Sequence, residues 1–282
     1  MNIQEFFTQF PDDEACLEHL MVVRYGREAK CPSCKRETKF HRILKRPVYS
    51  CQFCGHQIYP MAGTPFQDSH TPLQKWFYAM YLFTTSRHGV PAKELQRQLS
   101  LTYKTAWRMA HVIREYMGAV DGNDKLQGDV EVDETLIGGH IKGQGYQRHS
   151  PKKTIVMGMV ERGGEVMTKV VNDCKRKTLF PIIKENVHKL SKVHTDDATY
   201  YQKLSRLGYI HDTVAHGEKE YVRGNAYTNT IEGFWSQLKR SIKGTHIHVS
   251  RKHLPKYLGE FEFRYNRRNS PISMMDELLM AF

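Results

Sequence analysis

The stretch Val130-Glu131-Val132-Asp133-Glu134-Thr135-Leu136-Ile137 decides how the second half of the chain is read. Apolar and polar residues alternate in it, the two-residue period of a half-buried strand. Two further β-rich runs follow at 154–160 and 165–171, joined by Arg162-Gly163-Gly164 as a hairpin. Beyond them the order predicts a helix over 178–190, a short strand at 193–195, a helix over 199–207, a strand at 213–215 and a well-marked helix over 229–242. Three early strands, then strand and helix in alternation, make an α/β layer domain with a mixed sheet.

Upstream, Asp121-Gly122-Asn123-Asp124 is a turn-rich linker. Before it, residues 92–99 and 104–117 carry apolar side chains at helical spacing, with Thr102 placed to cap the second segment. This is the frame of a helix-turn-helix, whose second helix would turn Lys104, Thr105 and Arg108 toward a major groove. The same corner also occurs in proteins that never touch DNA. Residues 73–83 read as an aromatic-rich core helix, and residues 3–25 as two helices broken and recapped at Pro11-Asp12-Asp13.

Cys31-Pro32-Ser33-Cys34 and Cys51-Gln52-Phe53-Cys54 are two C-x2-C pairs separated by sixteen residues. Each pair puts two thiols on one tight turn, and two such turns complete a tetrahedral four-sulfur shell for one structural Zn²⁺. Residues 39–49 between them alternate as the short hairpin of a zinc ribbon. Cys16 and Cys174 belong to no motif and read as small buried apolar residues.

The chain of 282 residues carries 42 Lys and Arg against 30 Asp and Glu, a net charge of +12. Residues 24–46 hold nine basic and two acidic residues, and residues 239–268 hold the same, so each block contributes +7 and the remainder −2. Two concentrated basic blocks are the footprint of a polyanion partner, with DNA as the first expectation. The aromatic residues interleaved with Arg264, Arg267 and Arg268 fit either stacking on DNA or a core helix with a basic outer face. No apolar run approaches the roughly 18 residues of a membrane-spanning helix. The start, MNIQEFFTQF, lacks the basic region of a signal peptide. The expected location is therefore cytoplasmic and nucleoid-associated, or nuclear in a eukaryotic source. Gly143-Gln144-Gly145 lacks the third glycine of a dinucleotide site.

Three acidic positions fall where this layout gathers them: Asp133 in the first strand, Asp196 after the short strand, and Glu232 in the first turn of the late helix. Lys239 lies two helical turns beyond Glu232 and so on the same face. Converging carboxylates suit Mg²⁺, and two such ions about 4 Å apart serve phosphodiester chemistry. Solvated surface acids are the alternative that composition leaves open.

The run from Glu131 to Gly139, the pair Thr195-Asp196 and the run from Thr228 to Arg240 resemble a DDE-type transposase of bacterial insertion sequences. The group concerned carries an N-terminal zinc ribbon and is related to Merlin elements. Residues 252–268 are similar to its C-terminal block, and the order of helix, Cys31/Cys34, Cys51/Cys54 and Gly63-Thr64 is similar to its N-terminus. The resemblance spans nearly the whole chain. It implies N-terminal helices and a zinc ribbon (1–68), a helix-turn-helix region (69–120), and a ribonuclease H-like mixed-sheet catalytic domain with the basic C-terminal block (121–282). It implies that Asp133, Asp196 and Glu232 are catalytic and hold two Mg²⁺, or Mn²⁺. Lys239 is then a DNA contact, and Arg240, Arg264, Arg267 and Arg268 join it as expected contacts.

The implied activity is binding of terminal inverted repeats in double-stranded DNA, 3′-end cleavage and strand transfer into target DNA, by a homodimer or larger assembly on DNA. A non-catalytic DNA-binding regulator using the ribbon and helix-turn-helix is the alternative; the intact triad with Lys239 favours the enzyme. His246-Ile247-His248 with Tyr257 resembles the residue set of single-strand nickases but lacks that family's surrounding pattern.

Overall fold

A computed structural model describes residues 1–121, 124–138, 153–214, 227–270 and 272–281. They gather into two units, Met1–Tyr116 with Ser270–Phe282, and Met117–Asn269. Gly143 and Gly145 lie outside the described residues.

In the first unit, polar caps start the first two helices. Asn2 and Glu5 form a reciprocal capping box for α1 (Ile3–Gln9), and the Asp12 carboxylate accepts the Ala15 N–H at the start of α2 (Asp13–Tyr25). A two-stranded pair, β1 (Ala29–Lys30) and β2 (Glu37–Thr38), precedes a three-stranded antiparallel sheet of β3 (Phe40–Ile43), β4 (Val48–Cys51) and β5 (Gln57–Ile58). Helix α3 (Leu73–Thr85) buries Trp76, Phe77, Met80 and Phe83. Burial of a large apolar side chain is worth about 1.5–3 kcal/mol, so this stripe is the main anchor of the unit.

Helices α4 (Ala92–Leu99) and α5 (Tyr103–Val120) follow, separated by Ser100 in the left-handed conformation and by Leu101 and Thr102. The Thr102 hydroxyl accepts the Thr105 N–H at 3.2 Å and so caps α5. Helix α9 (Met274–Met280), near the end of the chain, packs on α2 and α3.

The second unit is built on the strand quoted above. It forms β6 (Asp129–Gly138) and pairs antiparallel with β7 (Lys153–Glu161), which pairs antiparallel with β8 (Val166–Val171). On its other side β6 pairs parallel with β9 (Lys192–Asp196), and β9 pairs parallel with β10 (Ile210–Val214). The sheet order is therefore β10-β9-β6-β7-β8, with the first strand central. Alternation along β6 and β7 divides their side chains between two faces. Val130, Val132, Met157 and Met159 pack on one face with Leu179 and Ile183 of α6 (Arg176–Asn186). Val156, Val160 and Val166 pack on the other with Ile231, Trp235 and Leu238 of α7 (Asn229–Ser241) and Leu254, Leu258 and Phe261 of α8 (Leu254–Asn266).

Two expected helices differ. The helix expected over 178–190 ends at Asn186, because Val187 turns extended and forms a parallel bridge with Leu126 while the His188 N–H donates to the Leu126 carbonyl. The helix expected over 199–207 is turns followed by a 3₁₀ segment at Leu204–Leu207. Its leading residues, Tyr200 and Tyr201, are held instead by hydrogen bonds to Glu134. At its far end α7 passes into a π turn, Ile242–His246.

Candidate active site and metal centre

Asp133 and Asp196 are carried by neighbouring parallel strands. The last register pair of β6 and β9 is Glu131 opposite His194, and two more residues along each strand bring Asp133 level with Asp196. The strand partner of Asp133 on its other side is Gly158 of β7. A Cβ at Gly158 would lie 2.4 Å from the Trp235 ring and 2.9 Å from Ile231. Only a residue without a side chain lets α7 lie this close to the sheet. Trp235 thereby reaches Asp133, and its Nε1–H donates to Asp133 Oδ2 at 3.0 Å.

Glu232 sits one turn N-terminal to Trp235 on the same helix, exposed, and its Oε1 accepts from the Thr228 hydroxyl at 3.3 Å. The Asp196 carboxylate accepts the Ala198 N–H at 3.2 Å. Burial first, and then the charges of Asp196 and Glu232, push the Asp133 carboxyl up to about 6 against the lowering effect of the Glu134 and Trp235 N–H groups. The charges of Asp196 and Glu232 act on Asp133, so both lie within its electrostatic reach.

The neighbouring acids have other partners. Glu134 points to the opposite face of β6, where the hydroxyls of Tyr200 (2.9 Å) and Tyr201 donate to its two oxygens. Burial lifts its carboxyl to about 7. Asp197 is exposed, beyond the end of β9. Glu131, two residues before Asp133 and on the same face, is fully buried and bonded to the first turn of α7. Its alternation with Asp133 was visible in the sequence, but its partner, ninety-nine positions away, was not.

The four expected zinc ligands do meet. The Sγ atoms of Cys31, Cys34, Cys51 and Cys54 lie within 4.8 Å of one another. The two knuckles have the same backbone: Lys35 and Gly55, each following the second cysteine, adopt left-handed φ values of 63° and 71°, and their N–H groups donate to the carbonyls of Cys31 and Cys51. The distances from Cys31 to Cys54 (3.7 Å) and from Cys34 to Cys51 (3.9 Å) match the edge of about 3.8 Å that a tetrahedron with Zn–S bonds near 2.3 Å requires. All four thiols are free of disulfides. Burial raises the Cys51 thiol, but the N–H groups of Cys54 and Phe53 and the Thr38 hydroxyl outweigh it and bring it to about 6. The donor set fits zinc. Among the described residues it is the one such group of three or more potential ligands.

The expected DNA-contacting residues divide. Lys104 and Arg108 are exposed on α5, with the Arg108 guanidinium 5.5 Å from the Trp76 ring centre, and Thr105 is half-buried beside Thr102. Lys239 and Arg240 are exposed in the last turn of α7. Arg264 turns inward: it is buried, ion-paired with the fully buried Glu260 and set over the Phe261 ring. Arg267 pairs with Asp121 and donates to the Val120 carbonyl, and Arg268, though exposed, donates to the Gly164 and Tyr265 carbonyls. The core-helix reading therefore fits Arg264 and Arg267. The guanidinium groups of both have internal acceptors.

Residues 125–266 match the family model described as the ISXO2-like transposase domain, and residues 11–57 match that of the transposase zinc-ribbon domain. The chain belongs to this transposase family. A relative from Halobacterium salinarum, an uncharacterized protein in transposable element ISH50, is 26% identical over 276 residues, covering 90% of this chain and 91% of the relative. An uncharacterized transposase-like protein from Haemophilus influenzae is 32% identical over 117 residues, 41% of this chain and 94% of the relative. The family match covers all three candidate acids and the sheet that carries two of them, and the zinc-ribbon match covers all four cysteines. No helix among the described residues is long and apolar enough to cross a membrane.

Proposed function

We propose that this transposase binds the terminal inverted repeats of its element, cleaves the DNA at their 3′ ends and joins the freed 3′-hydroxyl to target DNA. The observation that carries the reading is the placement of Asp133 and Asp196 on adjacent parallel strands, with Glu232 on the helix packed against β6 and within electrostatic reach of Asp133. The sheet order, first strand central, supports a ribonuclease H-like domain.

Three carboxylates are hard oxygen donors, and their mutual repulsion is what a divalent cation relieves, so Asp133, Asp196 and Glu232 would hold Mg²⁺ or Mn²⁺. Two such ions supply activation of the attacking water or hydroxyl and stabilisation of the leaving oxygen. The chain's own contribution is orientation: the Trp235 indole fixes one oxygen of Asp133, the Ala198 N–H fixes Asp196, and α7, packed on β6, carries Glu232 within electrostatic reach of Asp133. Lys239 and Arg240 lie farther along the same helix and would hold the phosphate backbone as it leaves the site.

Lys104, Thr105 and Arg108 at the start of α5 would meet the major groove, with α4 and α5 acting as a helix-turn-helix. Arg268 remains an exposed phosphate contact. Because two ends must be cut together, the working form is a dimer or larger assembly on double-stranded DNA.

The test is cleavage of labelled end DNA in Mg²⁺. Asp133→Asn, Asp196→Asn and Glu232→Gln should each abolish cleavage and leave end binding nearly intact, because loss of one carboxylate removes ligand charge and geometry together. Glu134→Gln and Asp197→Asn should retain activity, since neither side chain shares the Asp133 face with an assigned role. Full cleavage by the Glu232→Gln protein refutes the triad.

A further inference from the structure

Helix α7 lacks a cap of its own. Its N-cap residue, Thr228, makes no side-chain hydrogen bond to the helix backbone. The N–H groups that such a cap would satisfy are those of the second and third helical residues. In this protein they are Thr230 and Ile231, and both donate to Glu131 Oε2, at 2.9 and 3.0 Å. The other oxygen, Oε1, accepts from the Thr230 hydroxyl at 2.9 Å and from Arg162 Nε at 2.8 Å. A carboxylate on the central strand thus takes the place of the missing cap, at the end of the helix where the dipole favours negative charge.

Glu131 is completely buried, and its four hydrogen bonds occupy both oxygens. It has no lone pair directed at the triad. Arg162 neutralises it and is itself fixed: Nη2 donates to the Tyr227 carbonyl at 2.7 Å, and the guanidinium lies 3.5 Å from the centre of the Tyr227 ring. Tyr227 immediately precedes the cap residue, so one arginine grips both the capping acid and the chain entering the helix. Strand β6 therefore fastens α7 at two points, Glu131 at residues 230–231 and Asp133 at Trp235. Glu232 lies between them.

We propose that Glu131, locked by Arg162, is the positioning residue for Glu232: it binds no cation itself but sets the register of α7 so that the third carboxylate stands over Asp133 and Asp196. This rests on the triad reading above, and it assigns two side chains no role in the reaction except through Glu232. In Glu131→Leu no oxygen is left to accept from the two helix N–H groups, so the cap is lost although size is nearly kept.

The experiment uses the full-length, zinc-loaded protein and two readouts other than turnover. Hydrogen exchange of residues 230–232 in the absence of added metal should speed up at least tenfold in Glu131→Leu. Binding of terbium(III), a hard oxygen-seeking ion whose emission the nearby Trp235 can sensitise, should weaken by about 10–100-fold, the usual cost of losing a residue that orients a ligand. Thr230→Val, which removes one bond to Oε1 and keeps both capping N–H groups, should change neither measurement by more than about threefold. Because Glu131→Leu takes from the half-buried Arg162 the acid 2.8 Å away and leaves Asp129 at 3.9 Å, Glu131→Leu/Arg162→Met is made in parallel; it removes both charges and should show the same two changes with the melting temperature preserved.

Unchanged terbium affinity in a folded variant that lacks the Glu131 carboxylate overturns the proposal. So does weakened affinity with unchanged exchange at 230–232, which would make Glu131 a direct ligand. Asp133→Asn and Glu232→Gln separate the two levels of inference. If they leave terbium binding untouched, the triad reading fails; if they abolish it while the Glu131 variants do not, only the positioning role fails.

Discussion

Gly158 is where one missing methyl group determines the geometry of the carboxylates. It faces Asp133 across the strand pair and lies under the Trp235 ring. Gly158→Ala places a Cβ 2.4 Å from that ring, far inside contact distance, with the backbone of β7 unable to retreat because both its neighbours are paired. The side chain that must move is Trp235, and its movement removes the donor from Asp133 Oδ2. The substitution should destabilise the second unit by about 1–3 kcal/mol, the usual cost of overpacking, and should depress cleavage more than stability explains. Urea unfolding and end cleavage on the same preparation check it. A Gly158→Ala protein with unchanged midpoint and full cleavage would show that the indole is not needed where it lies.

The elements differ in how far the sequence alone could place them. The zinc ribbon was legible because its determinants are local: two C-x2-C turns and a hairpin of a few residues between them. It yields a prediction for that element. Purified protein should carry about one zinc per chain, and Cys51→Ser should release it and unfold the ribbon while the second unit keeps its own melting transition, because the ligand set contributes folding energy only where the metal binds. Metal analysis showing no zinc in the intact protein would remove the assignment. Strands β6 to β10 and helix α7 were also legible, each from its own period. What misled was non-local. Helix α6 stops at Asn186 because Val187 bridges Leu126, some sixty residues upstream, and no periodicity over 178–190 reports that. The ion pair of Arg267 was equally hidden, because its acid, Asp121, lies 146 positions away. Glu131 showed its face in the alternation of β6, but its partners Arg162, Thr230 and Ile231 lie on other elements.

On the scale of the whole molecule, a basic exterior coexists with acids held inside the second unit. The net charge is +12, yet Asp121 and Glu262 line a cavity of about 100 Å³ with Asp124, Glu165 and Lys169, between β8 and α8. Desolvation pushes both carboxyls up to about 7. For Asp121 the nearby Arg267 opposes the rise; for Glu262 the opposing groups are the Thr168 hydroxyl and N–H and the charge of Lys169, with Asp121 adding to the rise. A carboxyl whose pKa is higher in the folded state than the usual value near 4 takes up a proton on folding between those two pH values. Its contribution to stability is therefore greatest in acid, declines as pH rises from about 4 to about 7 at up to about 1.4 kcal/mol per pH unit per group, and is flat above. Glu262→Gln isolates one group, because the amide oxygen can still accept from Thr168, whose N–H lies 2.9 Å from Glu262 Oε1. The variant should match the parent near pH 4 and become progressively more stable than it up to pH 7, with the difference constant beyond. Urea unfolding followed across that range measures the gap directly. A variant less stable than the parent at pH 8 would mean that the carboxylate is held ionised by its neighbours and that burial does not dominate at this end of the sheet.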